Sequence, residues 1–115
     1  MPFLRQYDVK IIANISGNTP EEYGVMCEKL SAAGVDMIEV NISCPNVKCG
    51  GMAFGIKPES VAEVTRAAKG ALQKTPLIVK LSPNVESIAA NALAAQKGGA
   101  DCVSLINTLT GMVVD

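Results

Sequence analysis

Histidine is absent from this 115-residue chain. That absence excludes Ser-His-Asp and Cys-His nucleophile systems and every zinc site that relies on imidazole. Proton transfer is left to Cys, Lys, Tyr, Asp and Glu side chains. A basic excess is missing too: Lys and Arg number 10, Asp and Glu 11, and the formal net charge is −1. With no Lys/Arg cluster, the chain lacks the electrostatic footprint of a nucleic-acid or anionic-membrane binder. No apolar run approaches the roughly 20 residues that cross a bilayer. The start, Met1-Pro2-Phe3-Leu4-Arg5, has no apolar segment of the kind a secretory signal needs. These absences predict a soluble, cytoplasmic chain. No CxxC pair occurs among Cys27, Cys44, Cys49 and Cys102, so free thiols are expected rather than a disulfide framework. Three of them, Cys27, Cys49 and Cys102, read as small packed residues.

What is present is an apolar fraction of 49%, enough to build the core of one domain. Four β-rich runs stand out, Val9–Ile15, Met37–Ile42, Leu77–Leu81 and Cys102–Ile106. They are near-continuous Val/Ile/Leu stretches, which predicts strands buried on both faces of a parallel sheet. Three helical segments lie between them. In the first, Thr19 is an N-cap, Pro20 stands at N1 and Glu22 completes a capping box. Its spaced apolar residues are Tyr23, Met26, Leu30 and Ala33, with Gly34 as the C′ residue. The second starts at Pro58-Glu59, buries Val61, Val64, Ala68 and Leu72, and ends before Pro76. The third follows Asn84, read as its cap, and runs through Ile88, Ala92 and Ala95 to Gly98-Gly99.

The predicted order is therefore βαβαβαβ in a parallel α/β fold. An internal echo accompanies it: Ala33-Gly34-Val35-Asp36 and Gly98-Gly99-Ala100-Asp101 each lead into a strand that ends in asparagine. Polar residues gather at the strand ends, namely Asn14 and Ser16, then Asn41, Ser43 and Cys44, then Lys80 and Ser82, then Asn107 and Thr108. In a parallel sheet or barrel all strand C-termini share one face, where such folds bind ligands. Four strands and three helices do not close an eight-stranded barrel. The expectation is a small open sheet or a slice of a (β/α)8 TIM barrel, with both outer strands uncovered.

Within Asn41-Ile42-Ser43-Cys44-Pro45-Asn46, a thiol at a strand mouth can serve as nucleophile, metal ligand or general base. It can equally be an ordinary turn cysteine. A partnerless thiol lacks the ligands for a metal and the histidine for nucleophilic catalysis, while a general base needs only reach to an acidic C–H. Lys80 lies inside an apolar strand, where a charge is costly unless paired. It reads as a cation for a negatively charged cofactor or substrate, or as a side chain that snorkels to water or pairs with Glu39 or Glu86. Asn41, Asn46 and Asn107 suit a flat heterocycle that carries carbonyls and N–H groups, although asparagine also favours turns for local reasons. Cys49-Gly50-Gly51-Met52-Ala53-Phe54-Gly55 reads as a lid over Cys44 or as a long βα loop, and it lacks any phosphate-loop spacing.

Three ordered segments, Asn41 through Gly55, Val79-Lys-Leu-Ser-Pro-Asn-Val85 and Ile106-Asn-Thr-Leu-Thr-Gly-Met112, resemble dihydroorotate dehydrogenase, most closely the class 1B, NAD-linked catalytic subunit. The likeness runs from Tyr7 to Asp115 and implies an internal segment of a (β/α)8 barrel. It implies FMN-dependent oxidation of dihydroorotate to orotate in pyrimidine biosynthesis. By that resemblance Cys44 is the base that takes a proton from C5 while hydride passes from C6 to the flavin. Lys80 lies against the flavin and stabilises its anionic reduced form. Asn41, Asn46, Asn107 and Thr108 hold the pyrimidine and its carboxylate, and Asn14 contacts the flavin. The cysteine at position 44 also separates the chain from the membrane-associated class, which carries serine there.

The same resemblance implies a partner subunit with FAD and an iron–sulfur cluster, for which this chain has no cysteine spacing, and a homo-oligomer. An early lysine, an asparagine-bearing substrate loop and the glycine-rich loops for the FMN phosphate have no counterpart here. Little or no turnover is therefore expected of these 115 residues alone. Two rivals remain. One is a dihydropyrimidine dehydrogenase-like barrel, against which Asn46 argues. The other is a non-catalytic half-barrel that buries its edges on a second copy.

Overall fold

The structure is a computed structural model and describes residues 1–42 and 57–115. After a short 3-10 turn at Leu4–Gln6, the elements are β1 (Ile12–Ile15), α1 (Pro20–Ala32), β2 (Met37–Asn41), α2 (Pro58–Gly70), β3 (Leu77–Leu81), α3 (Ile88–Gly98) and β4 (Cys102–Leu105). The strands form one parallel sheet in the order β1-β2-β3-β4. Consecutive neighbours joined by right-handed crossovers put the described helices on the same side of the sheet. The order never reverses, so there is no switch point of the doubly wound kind. One-sided helices over an unreversed parallel sheet are the arrangement of a partial (β/α) barrel.

Register assigns each strand residue to a face. Ile15, Ile38, Val40, Ile42, Leu77, Val79 and Leu81 point to the helices and are buried in one core with Tyr23, Cys27, Val61, Val64 and Ala68. Among the described residues, no helix covers the opposite face. Burial on both faces, expected from the apolar runs, holds for Leu77, Ile78 and Val79 of β3 alone. In β2 burial alternates, because only one side of the sheet is covered. β1 begins at Ile12 rather than Val9, and β2 and β4 each end one residue earlier than expected.

The helix signals act largely as read. Thr19 Oγ1 accepts the Glu22 N–H at 3.2 Å with Pro20 in the first turn, although the Glu22 carboxylate reaches back to the Asn18 N–H (2.7 Å), one residue before the cap. α1 buries Tyr23 and Cys27, while Ala33 is exposed. α2 buries Val61, Val64 and Ala68 as expected, adds Ala62 and Thr65, and Leu72 beyond its end is buried too. The cap of α3 is Ser87, whose Oγ accepts from Ala90 N at 3.1 Å. Asn84 is not a cap, a correction taken up below.

The sequence echo is a structural device. Gly34 (φ 85°) and Gly99 (φ 108°) both close their helices in the left-handed region. Asp36 then exchanges two bonds with Ile11: its carboxylate accepts from Ile11 N (2.8 Å) and its N–H donates to Ile11 O (2.9 Å). Asp101 does the same to Leu77, at 2.8 and 2.9 Å. A cation completes each clip, Arg5 at 2.9 Å from Asp36 and Lys69 at 2.6 Å from Asp101. These bonds hold both carboxyl groups below the usual aspartate range: the Ile11 N–H and then Arg5 for Asp36, the Lys69 ammonium and then the Leu77 N–H for Asp101.

Cys27 is buried as expected, and burial pushes its thiol up to about 11. Cys102 is exposed, contrary to expectation, because β4 is an outer strand of the sheet, on which Val103 and Leu105 of the other face are exposed as well. Cys49 lies outside the described residues. No helix among the described residues is long and apolar enough to cross a membrane.

Candidate functional site

Parallel register lines the strand residues into rows across the helix-free face, with neighbours one strand spacing apart, about 4.8 Å. One row is Asn14, Glu39, Ile78 and Cys102. The next, one step nearer the strand C-termini, is Asn41, Lys80 and Ser104. Strand-end polarity thus becomes a polar patch in which an amide, an ammonium and a hydroxyl stand side by side. Lys80 is half-buried and, among the described residues, forms no ion pair. Glu39 bonds Asn14 instead (2.6 Å), and Glu86 is exposed. Neither is the counter-ion of Lys80.

Asn107 closes the patch from beyond β4. Its N–H donates to Leu81 O at 3.1 Å, and its Nδ2 lies 3.5 Å from Asn41 Oδ1. The second of these bonds brings together two residues 66 positions apart. Thr108 is exposed and enters the local network through its backbone: its carbonyl accepts from Asn84 Nδ2 at 2.8 Å, while Asn84 Oδ1 accepts from Thr110 N at 3.0 Å. Asn84 therefore ties down the chain that follows Asn107. Cys44 and Asn46 lie outside the described residues. Of the expected site residues, Asn14, Asn41, Lys80 and Asn107 share the helix-free face or its rim.

Three contributors escape a reading of the sequence. Tyr23, legible only as a core residue of α1, donates its hydroxyl to Asn41 O at 3.0 Å and braces that strand end. Ser104 flanks Lys80, and Glu39, read from the sequence only as a partner for Lys80, holds Asn14. The alternation Met37, Glu39, Asn41 marks one face of β2 and is the signal that could have found Glu39. The patch can offer donors and acceptors to a planar, carbonyl-rich ring and positive charge to an anion. Beyond this, the structure is that of a parallel barrel-type α/β protein with this patch at the strand C-termini.

Comparison with known proteins narrows the class. Residues 2–115 match the family model described as dihydroorotate dehydrogenase, and the chain belongs to that family. It is 57% identical over 115 residues to the dihydroorotate dehydrogenase B (NAD(+)) catalytic subunit of Thermoanaerobacter sp. (strain X514) and 58% identical over 115 residues to that of Alkaliphilus metalliredigens (strain QYMF). In both cases all of this chain is covered and 38% of the relative, so the chain spans well under half the length of these relatives. The fold is similar to the carboxyl transferase domain of Rhizobium etli pyruvate carboxylase with 3-hydroxypyruvate. The TM-score is 0.68 at 21% identity, over 90% of this chain and 18% of the other. That likeness speaks for the fold alone.

Proposed function

We propose that this chain forms part of the active face of a dihydroorotate dehydrogenase that oxidises dihydroorotate to orotate with FMN, in de novo pyrimidine biosynthesis. The observation that carries the reading is the row Asn41–Lys80–Ser104, with Asn107 bonded to Asn41, on the face that none of the described helices covers. This donor set fits a flavin: the ring needs hydrogen bonds at its carbonyl and N–H edge and positive charge nearby. Bound FMN supplies the acceptor for the hydride that leaves C6 of dihydroorotate.

The chain's own residues do the rest. Cys44 takes the proton from C5, a task open to a thiolate in a protein without histidine. Lys80 supplies the positive charge, and the apolar strand around it raises the worth of that charge by excluding water. Asn41, Asn46, Asn107 and Thr108 hold the pyrimidine and its carboxylate, and Asn14 contacts the flavin. The names of the relatives, NAD(+)-linked catalytic subunits, support a partner subunit that passes electrons onward. FAD and an iron–sulfur cluster are assigned to that partner.

The test is a fluorescence titration of the 115-residue chain with FMN, carried into the millimolar range, with and without orotate. Saturable quenching that tightens with orotate and weakens in Lys80→Ala is expected. Absence of saturation overturns the assignment of this face. Turnover of dihydroorotate is expected to stay at the level of a Cys44→Ala control, since 38% of the relatives' length lacks the other strands of a closed barrel.

A further inference from the structure

Glu39 has no part in the chemistry above, yet it makes a short side-chain bond on this face: Asn14 Nδ2 donates to Glu39 Oε1 at 2.6 Å. The two residues are register partners on β1 and β2, so the contact spans a single strand spacing. A carboxylate offers acceptors only. The amide end that faces it must be the nitrogen, and the orientation of Asn14 is thereby decided by chemistry. With Nδ2 held against Glu39, the carbonyl oxygen of Asn14 is the end turned away from it.

We infer that Glu39 is a positioning residue: it locks the Asn14 amide so that Asn14 presents an acceptor to a ring N–H of the bound heterocycle. The inference rests on the proposed flavin–pyrimidine reading of this face. The neighbouring row makes the need for an acceptor concrete. Lys80 offers donors only, and the Asn41 carbonyl oxygen is engaged by Asn107 Nδ2 at 3.5 Å. A ring that alternates carbonyl and N–H groups needs acceptors on both rows, of which the neighbouring row offers the Ser104 hydroxyl, and a freely rotating amide would offer the wrong end part of the time. The charge-assisted bond to Glu39 removes that ambiguity before the ligand arrives.

The experiment uses the whole 115-residue chain and the variants Glu39→Ala, Glu39→Gln, Asn14→Ala and the Asn14→Ala/Glu39→Ala double. FMN affinity is read by fluorescence quenching, and the Asn14 side-chain amide is followed without flavin in a ¹⁵N–¹H correlation spectrum. Glu39→Ala is expected to weaken FMN about three- to tenfold, the size of one net hydrogen bond. Glu39→Gln, whose side-chain carbonyl still accepts, should restore most of it. The double variant should bind like Asn14→Ala alone, because Glu39 acts through Asn14. The Asn14 amide signals should move in Glu39→Ala and return toward the wild-type position in Glu39→Gln.

A loss of affinity on Glu39→Ala that persists undiminished in the Asn14→Ala background overturns the inference, since Glu39 would then act by itself. Unmoved amide signals, or a Glu39→Ala chain that binds FMN like the wild type, overturn it as well. Failure of the wild-type chain to bind FMN is a different result: it removes the reading of the face, and the inference with it.

Discussion

Among the described glycines, Gly98 of α3 leaves the least room for a side chain, and replacing it by alanine tests how the helix layer is packed. A Cβ at Gly98 would lie 2.7 Å from Thr65 Cβ, 3.0 Å from Thr65 Cγ2 and 3.0 Å from the Ala62 carbonyl oxygen. Carbon atoms rest at about 3.5–4.0 Å, so the new methyl intrudes by roughly 1 Å. None of the three atoms can yield cheaply. One is backbone, and Thr65 is buried with its hydroxyl bonded to Val61 O at 2.6 Å. Alanine gains about 1 kcal/mol of helix propensity over glycine, whereas overpacking a filled core costs about 1–3 kcal/mol. With part of the backbone fixed, the cost lies at the upper end and the net loss is about 1–2 kcal/mol. That corresponds to a melting point roughly 4–8 °C lower. Two other glycines serve as internal standards. Gly70→Ala meets nothing within 4 Å at ordinary φ and should be neutral or slightly stabilising. Gly34→Ala also meets nothing, but φ is 85°, so it should cost about 1–2 kcal/mol through backbone strain alone. Urea unfolding of the three variants measures all of this at once. A Gly98→Ala chain as stable as Gly70→Ala would refute the packing argument.

Two further predictions concern titration and thiol chemistry. Asp36 and Asp101 have folded-state pKa values below their unfolded ones, so the stability they contribute is complete above about pH 4, the unfolded aspartate value, and is lost as pH falls through the lowered folded values. The Asp36→Asn/Asp101→Asn chain should therefore lose stability less steeply than the wild type as pH falls from 5 to about 2.5; equal acid slopes in urea unfolding would count against the clips. Cys27 is buried with its thiol pushed up to about 11, while Cys102 is exposed. Iodoacetamide at mild alkaline pH, read by peptide mass mapping, should label Cys102 in the native chain and Cys27 only in denaturant. Labelling of both at similar native rates would contradict the packing of α1.

What sequence reasoning reached, and what it missed, follows the range of the forces involved. Thr19-Pro20, Pro58 and Gly34 act within one helical turn of where they stand, so the helices and their order could be read directly. Asn84 misled because asparagine before a helix is a common cap. Here Ser87 takes that place, and the Asn84 amide spans 24 residues to Thr108 and 26 to Thr110. Cys102 misled for a related reason. Its apolar neighbours suggest burial, yet whether a strand is covered depends on its place in the sheet, and β4 lies at the edge with both faces exposed. The site follows the same division. That Asn14, Asn41 and Lys80 sit near strand ends is local information, whereas the row that sets Asn41 beside Lys80 and Ser104, and the bond that gives Glu39 to Asn14, exist only once β1 to β4 have paired.

The two aspartate clips sharpen this division between scaffold and site. Asp36 ties the approach to β2 to the approach to β1, and Asp101 ties that of β4 to the start of β3. Between β2 and β3 the corresponding bond is a single backbone one, Ile38 N to Pro76 O at 3.1 Å, with no aspartate. The sheet is thus fastened at its N-terminal edge as two pairs, β1 with β2 and β3 with β4. The polar row, however, runs across the junction of the pairs, Asn41 on one side and Lys80 on the other. That junction is spanned by the β2–β3 ladder, the packing of α1 against α2, the 2.7 Å bond between the Ser31 and Thr75 hydroxyls, and the Asn107 amide that reaches Asn41 from beyond β4. The ion pairs of the aspartate clips lie at the N-terminal edge, whereas the bonds around the polar row are between uncharged groups apart from that of Glu39. A bound ring that engages Asn41 and Lys80 together would therefore add to the stability of the seam in proportion to its own affinity.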